Sequence, residues 1–331
     1  MKVVQFLASK GWGGLENVFV NLCNEMAKTI DIDVIVFNNS VVSSKFNKNI
    51  NVHLLYSSPG RFNPFLYMEL LRLLQKLEVD IVHTHSAKAT QIFSYINIFL
   101  SLPQVATKHN SRKGKIFNSL PNIIAVSNGV KESILHENVR IIYNGITTVE
   151  VKSQLQNKVF TLLAVGRLDA IKGFDILIQE CAKLDFPFQL QIVGEGKEKK
   201  NLALLIDKLH LEKQVNLLGF REDIPQLMHN ADMVVMSSHS EGFSLVMVES
   251  FFYANLFVST KVSGATEVLD EEFLFEGFNI SKKLNDIYKN KSIYKDKYSL
   301  LSKEIQDKFL LSKIVKNHIE FYESILEKSS K

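Results

Sequence analysis

The stretch Ser237–Thr260, SSHSEGFSLVMVESFFYANLFVST, decides how this chain reads. Ahead of it, Met233-Val234-Val235-Met236 has the pattern of a short buried strand. Gly242 permits a close bend. Ser244 is placed to cap a helix over the apolar run from Leu245 to Tyr253. The amides of Gly242, Phe243 and Ser244 then face the space ahead of that helix, where phosphate or sugar oxygens are attracted. Glu241 and Glu249 stand with seven residues between them, and Glu249 lies roughly 7 Å along the helix axis. One carboxylate before a helix and one on its flank can grip both ends of an elongated polar ligand. Taken alone, either glutamate reads equally well as a residue on a wet helix face.

The 331 residues allow two domains of ordinary size, each with its own core. An apolar fraction of 46% excludes a disordered chain. A net charge of +4 and a pI of about 8.8 are too weakly basic to argue for nucleic acid, but suit an anionic membrane surface or a diphosphate. Cys23 and Cys181 lie far apart, with no ligand-like spacing, which points to a reducing compartment. The N-terminal MKVVQFLASKGWGG reads as a first strand and not as a signal peptide. Ile92–Leu102 is too short and too polar to span a bilayer. The expectation is a soluble or peripheral protein of the cytoplasm.

Along the chain, strands alternate with helices. Val3–Leu7 is a buried strand, followed by the loop Lys10–Gly14 and a helix with Leu15, Val18, Phe19, Leu22 and Met26 on one face. That order opens a phosphate-binding α/β unit, although no G-x-G-x-x-G supports a dinucleotide and a tight turn explains the glycines as well. Asp31–Phe37 is the second strand, and Asp31-x-Asp33 reads as polar residues entering it. A helix is expected over Phe65–Leu77, then a strand over Asp80–Ser86. Ligands of open α/β sheets bind at the carboxyl ends of strands, where His85 falls. His83 and His85 are placed on opposite sides of that strand, which speaks against zinc. Either histidine can also be purely structural. Val105–Asn110 is a strand ending at His109, followed by Arg112, Lys113 and Lys115; with Lys108 these form a basic patch that reads either as a solvated loop or as an anion contact. Asn122–Ser127 is a strand before a helix over Val130–Leu135, and Arg140–Ile146 precedes a linker over Thr147–Lys158.

The second series starts with the strand Phe160–Val165, which runs into Gly166-Arg167-Leu168-Asp169-x-x-Lys172-Gly173. Strands are expected at Phe188–Val193, before Gly194 and Gly196, at Val215–Phe220, and at Phe257–Thr260. Ser281–Lys297 is lysine-rich and weakly patterned, and Leu300–Leu326 is helical. There is no fixed-period repeat, only two similar α/β halves.

Ser238-x-x-Glu241-Gly242-Phe243 with Glu249, together with the Gly166–Gly173 motif, resembles the signature of retaining glycosyltransferases of family 4, the group 1 enzymes of bacterial surface-glycan assembly. The resemblance covers nearly all of the chain. It implies the α/β GT-B architecture: two Rossmann-like doubly wound domains facing across a cleft, with a C-terminal helix crossing back. The acceptor domain is then 1–150 with a helix at about 312–331, and the nucleotide-sugar donor domain is 151–311. It implies transfer of a hexosyl or N-acetylhexosaminyl group from a UDP-sugar to a glycan or lipid-linked acceptor, without metal or cofactor. Arg167 and Lys172 take the diphosphate, whose growing charge needs fixed cations: a planar fork and a point charge. Glu249 takes the ribose. Glu241, with the amides of Gly242, Phe243, Ser244 and Leu245, holds the donor sugar. Gly194 and Gly196 pack against the nucleotide, and the base sits near Phe220. His109 approaches the reacting sugar, and Gly13, Gly14, Glu16, His85, Lys108, Arg112 and Lys113 form the acceptor side, within reach of an anionic membrane. The family usually has Gly near Asn255 and Pro near Phe257, which puts that loop's shape in doubt. A nucleotide-sugar epimerase of the same fold, or a binding protein without turnover, remains as an alternative.

Overall fold

The structure, a computed structural model, describes residues 1–112, 114–152, 157–277 and 279–329, the last without its side chain; Lys113 lies outside the described residues. The chain divides into two compact units, Met1–Thr147 with Leu310–Lys331, and Thr148–Phe309.

Among the described residues the first unit holds seven strands, β1 (Lys2–Leu7), β2 (Asp31–Phe37), β3 (Asn51–Leu55), β4 (Ile81–His85), β5 (Gln104–Lys108), β6 (Ile123–Ala125) and β7 (Val139–Ile141). They form one parallel sheet in the order β3-β2-β1-β4-β5-β6-β7. Parallel neighbours need crossover helices, which cover both faces and make the central strands buried throughout. On one face, the helix Gly14–Met26 buries Phe19, Leu22, Cys23 and Met26. The C-terminal helix Leu311–Ser329 adds Ile314, Val315, Tyr322 and Ile325 to the same cluster. Each such side chain contributes about 1.5–3 kcal/mol on burial, so the last helix belongs to the first unit's core. The helices Pro64–Lys76 and Ser86–Asn97 cover the other face with Leu66, Leu70, Leu74, Ile92, Phe93 and Ile96. The first of these is started by Asn63, whose side chain accepts from the Phe65 amide, and by Pro64.

The second unit holds β8 (Phe160–Val165), β9 (Phe188–Val193), β10 (Val215–Gly219), β11 (Met233–Met236), β12 (Phe257–Thr260) and β13 (Leu274–Phe275). They also run parallel, in the order β10-β9-β8-β11-β12-β13. In both sheets the order reverses beside the first strand: between β1 and β4, and between β8 and β11. Loops diverge there and leave a crevice at the carboxyl ends. The two α/β sheets are the Rossmann-like pair that the resemblance implies.

Several boundaries differ from the sequence reading. Ser281–Lys297 is helical, in Ile280–Lys289 and Lys291–Ile305: its lysines take the outer face, while Ile280, Leu284, Ile287 and Tyr298 are buried. The helix expected over Leu300–Leu326 is broken by a turn at Gln306–Phe309, after which Leu310 bridges to Ile146. Val130–Leu135 shifts to Asn128–Glu132, because the Ser127 side chain accepts from the Val130 amide and starts the turn earlier. Of the apolar Ile92–Leu102, Ile92, Phe93 and Ile96 are core, while Ile98 and Phe99 are 75% and 76% exposed. Asn255 closes its turn by donating to the carbonyls of His229 and Ala231. Asp33 is buried, 3.1 Å from Lys2 Nζ and 3.5 Å from His53 Nε2.

Candidate active site

In the second unit the chain is drawn tight at the strand ends. The Gly166 amide donates to Val193, and the Gly194 amide to Gly219. Gly194 has φ +141°, and a Cβ there would lie 1.9 Å from the Gly166 carbonyl oxygen. A Cβ on Gly196 would lie 2.3 Å from that of Leu168. Both glycines therefore permit a close approach of the chain to itself. Arg167, just beyond β8, is largely exposed, with Nε 3.9 Å from Asp169 Oδ2. Phe220, after β10, is 59% exposed.

The loop after β8 is pressed against the loop after β11. Gly173 has φ +61°, and a Cβ on it would lie 2.3 Å from the Ser237 carbonyl oxygen. Ser237 Oγ donates to the Lys172 carbonyl at 2.9 Å, and the His239 amide donates to Ile171 at 2.8 Å. This contact delivers Lys172 Nζ to 2.5 Å from Glu241 Oε1. The same oxygen accepts from Ser238 Oγ at 2.8 Å, which gives the Ser-x-x-Glu spacing its physical reason. Ser263 Oγ fixes the Glu241 carbonyl at 3.0 Å. A cation and a carboxylate, both mostly buried, thus stand at the reversal of the sheet.

The helix Leu245–Tyr253 begins at Ser244 as expected, but the Ser244 side chain makes no capping bond. The amides of Gly242 and Ser244 donate to no protein acceptor among the described residues. Phe243 offers only its backbone, because its buried ring packs 5.4 Å from that of Phe309. Leu245 is half-buried. Glu249 is half-buried too. Burial pushes its carboxyl up to about 7. Among the described residues no hydrogen bond or ion pair compensates it.

In the first unit, Gly13 ends the loop after β1 as the cap residue of the helix Gly14–Met26, whose first turn carries Gly14 and Glu16. Glu16 is buried and accepts a short hydrogen bond from Ser9 Oγ. A Cβ on Gly14 would meet nothing within 4 Å, so this glycine is not needed for packing. His83 and His85 do not face opposite sides. Residues two apart on a strand share a face, and their rings lie 4.2 Å apart. His83 meets the Tyr322 hydroxyl at 2.6 Å and Thr107 at 2.7 Å. His85 is fully buried against Gln5, at 2.8 Å, and His109, at 3.3 Å, so it is not itself exposed to a ligand. His109 is half-buried, and burial holds it down to about 3. His318, which sequence reasoning passed over, is held down to about 4. Gln5 and Tyr322 were missed as well; the lone glutamine inside VVQFL was the available signal. Lys108 leaves the expected basic patch: it is 3% exposed and its Nζ donates to the Ser133 carbonyl and hydroxyl. A buried lysine needs such acceptors. Arg112 and Lys115 are exposed. Among the described residues no group of three or more His, Cys, Asp or Glu could hold a metal ion. No helix among them is long and apolar enough to cross a membrane.

Two family models match in tandem: Glycosyltransferase Family 4 over residues 12–150 and Glycosyl transferases group 1 over residues 146–299. The chain belongs to the group 1 glycosyltransferases. One relative of this glycosyltransferase is the N-acetylgalactosamine-N,N'-diacetylbacillosaminyl-diphospho-undecaprenol 4-alpha-N-acetylgalactosaminyltransferase of Campylobacter jejuni, 28% identical over 87% of this chain and 92% of that one. Among solved structures, Anabaena HepE in complex with UDP and glucose matches with a TM-score of 0.86 at 21% identity, covering 98% of this chain and 100% of that one. The lipopolysaccharide outer core galactosyltransferase WaaB matches with a TM-score of 0.77 at 18% identity, covering 98% and 99%. The glycosyltransferase therefore shares their fold, and it transfers sugars in glycan or lipid-linked pathways.

Proposed function

We propose that this enzyme transfers a hexosyl or N-acetylhexosaminyl group from a UDP-sugar, with retained configuration and without a metal, to a hydroxyl of a glycan or lipid-linked acceptor in bacterial surface-glycan assembly. The observation that carries the proposal is the Lys172–Glu241 pair at the reversal of the second sheet, in the same unit as Arg167 and as Glu249, which has no hydrogen-bond or ion-pair partner among the described residues. A half-buried carboxylate without donors costs stability, and the hydroxyls of a ribose would supply the donors it lacks. The UDP bound by HepE and the diphospho-undecaprenol substrate named for the Campylobacter enzyme support the donor and acceptor classes.

Residues 151–311 would then be the donor domain, and 1–150 with the last helix the acceptor domain. Arg167 and the two remaining N–H groups of Lys172 stabilise the departing diphosphate; no enzyme nucleophile is needed. The anomeric carbon–phosphate oxygen bond breaks as the acceptor oxygen bonds on the same face. The acceptor proton passes to the departing phosphate oxygen. Glu241 and the amides of Gly242 and Ser244 hold the donor sugar, and His109 receives a sugar hydroxyl on the acceptor side. Arg112, Lys115, Ile98 and Phe99 suit peripheral docking on the anionic cytoplasmic face of a membrane.

The test is donor consumption with and without a lipid-linked acceptor extract, with mass analysis of products. Acceptor-dependent transfer supports the proposal. Conversion of the donor without acceptor would identify an epimerase, and UDP binding without turnover a binding protein.

A further inference from the structure

Six side chains of the first unit form an unbroken line of hydrogen bonds ending at His109. His109 Nε2 lies 3.3 Å from His85 Nδ1, and His85 Nε2 lies 2.8 Å from Gln5 Oε1. Gln5 Nε2 lies 3.1 Å from the Tyr322 hydroxyl, which lies 2.6 Å from His83 Nδ1. His83 Nε2 ends the line, 2.7 Å from Thr107 Oγ1.

Gln5 sets its direction. An amide oxygen only accepts and an amide nitrogen only donates. The nitrogen end also lies 3.4 Å from the Met26 sulfur, a weak acceptor that suits an N–H and not an oxygen. His85 therefore donates from Nε2. A neutral imidazole carries one N–H, so His85 Nδ1 accepts and His109 donates from its own Nε2. On the other side Tyr322 donates to His83, and His83 to Thr107. Every bond in the line then has one consistent polarity. His109 Nδ1 is left with a bare lone pair, and among the described residues nothing donates to it. The ring lines a narrow pocket with Asn144 and Gly145.

We infer that Gln5 and His85 are positioning residues that lock His109 in its Nε2–H tautomer, so that Nδ1 accepts a hydrogen bond from a sugar hydroxyl during transfer. This rests on the proposed function for the hydroxyl, while the tautomer itself stands on the geometry of the line. Burial keeps His85 and His109 neutral, with His109 held down to about 3, so Nδ1 is an acceptor and a poor base. An unlocked ring would present N–H for part of the time and meet the hydroxyl with the wrong polarity.

The experiment uses the whole chain with ¹⁵N-labelled histidine. Long-range ¹H–¹⁵N correlation at pH 7.5 should show His109 protonated at Nε2 and bare at Nδ1. A native His109 protonated at Nδ1 overturns the inference, whatever the activity. Gln5→Met, which keeps the volume and removes the acceptor, should shift His109 towards the Nδ1–H form. It should also lower kcat/KM about threefold to tenfold, the equivalent of one neutral hydrogen bond, with the Kd for UDP unchanged. Thr84→Val removes a buried hydroxyl from the opposite face of β4 and should leave both tautomer and kcat unchanged. A shifted tautomer with unchanged turnover refutes the positioning role. If no variant and no wild-type enzyme transfers sugar, the native tautomer still decides the geometric claim, and the failure falls on the proposed function.

Discussion

Glu249 should bind ribose hydroxyls only as a carboxylate, yet burial raises it to about 7 in the free protein. Binding must therefore release a proton below that pH. The Kd for UDP then scales as one plus ten to the power of 7 minus pH. It rises about tenfold between pH 8 and pH 6, or about 1.4 kcal/mol. The phosphate of UDP also protonates near pH 6. Glu249→Gln isolates the residue, because the ratio of wild-type to variant Kd should carry only the glutamate's share. The variant should bind UDP more weakly at pH 8 and less differently at pH 6. Stability moves the other way. A carboxyl raised from 4.5 to about 7 makes the native state bind more protons than the unfolded state across that window. Stability is thus lost as pH rises through it, by up to about 3 kcal/mol at pH 8. The unliganded Glu249→Gln protein should melt roughly 6–12 °C higher at pH 8 and nearly unchanged at pH 4.5. Isothermal titration and thermal melts at both ends of the range give the answer. A variant that binds UDP as tightly as wild type at pH 8, or that is not stabilised there, refutes the role assigned to this carboxylate.

The remaining expectations are shorter. Arg167→Ala and Lys172→Ala should each lower kcat/KM by about 10²-fold or more, roughly the 3–4 kcal/mol of a preorganised charge, and near-native turnover in the folded double variant contradicts the clamp. Gly194→Ala should prevent folding of the second unit, because its Cβ would lie 1.9 Å from a carbonyl oxygen, whereas circular dichroism of Gly14→Ala should be native. His109 and His318 are held at about 3 and 4, below the ordinary 6.5, so the unfolded state binds more protons as pH falls from 6.5. Together they should cost about 4 kcal/mol at pH 5 relative to pH 7.5; denaturant melts equal at both pH values would show those histidines to be freely solvated. Turnover should survive prior treatment with EDTA, and rescue by Mn²⁺ or Mg²⁺ would show that a metal takes part.

The alternation of strands and helices was legible because both sheets are parallel and buried on both faces, which writes continuous apolar runs such as VVQFL and FTLLAV. The sequence was less informative where apolar residues come once per turn among lysines, as over Ser281–Lys297, or where a strand is only half covered, as at Asn51–Leu55. Glu241, Lys172 and Arg167 could be named in advance because they lie in compact local motifs. Their pairing could not be, because it depends on Gly173 closing to van der Waals distance on Ser237, across sequentially remote loops. The histidines were misjudged for two reasons. One was a slip in strand parity. The other was that burial and the tyrosine on a helix 239 residues away are tertiary facts. Lys108 likewise read as a surface cation until Ser133 was seen to receive it.

The central claim is a sugar transfer served by the donor site around Lys172 and Glu241. It is tested most directly by following UDP release from a UDP-sugar in the presence and absence of a lipid-linked acceptor, with NMR of the anomeric centre in the product. The account predicts UDP release only with acceptor, a product with the donor's anomeric configuration, and loss of both in Glu241→Gln/Lys172→Ala. Release that needs no acceptor, or an inverted product, would contradict it.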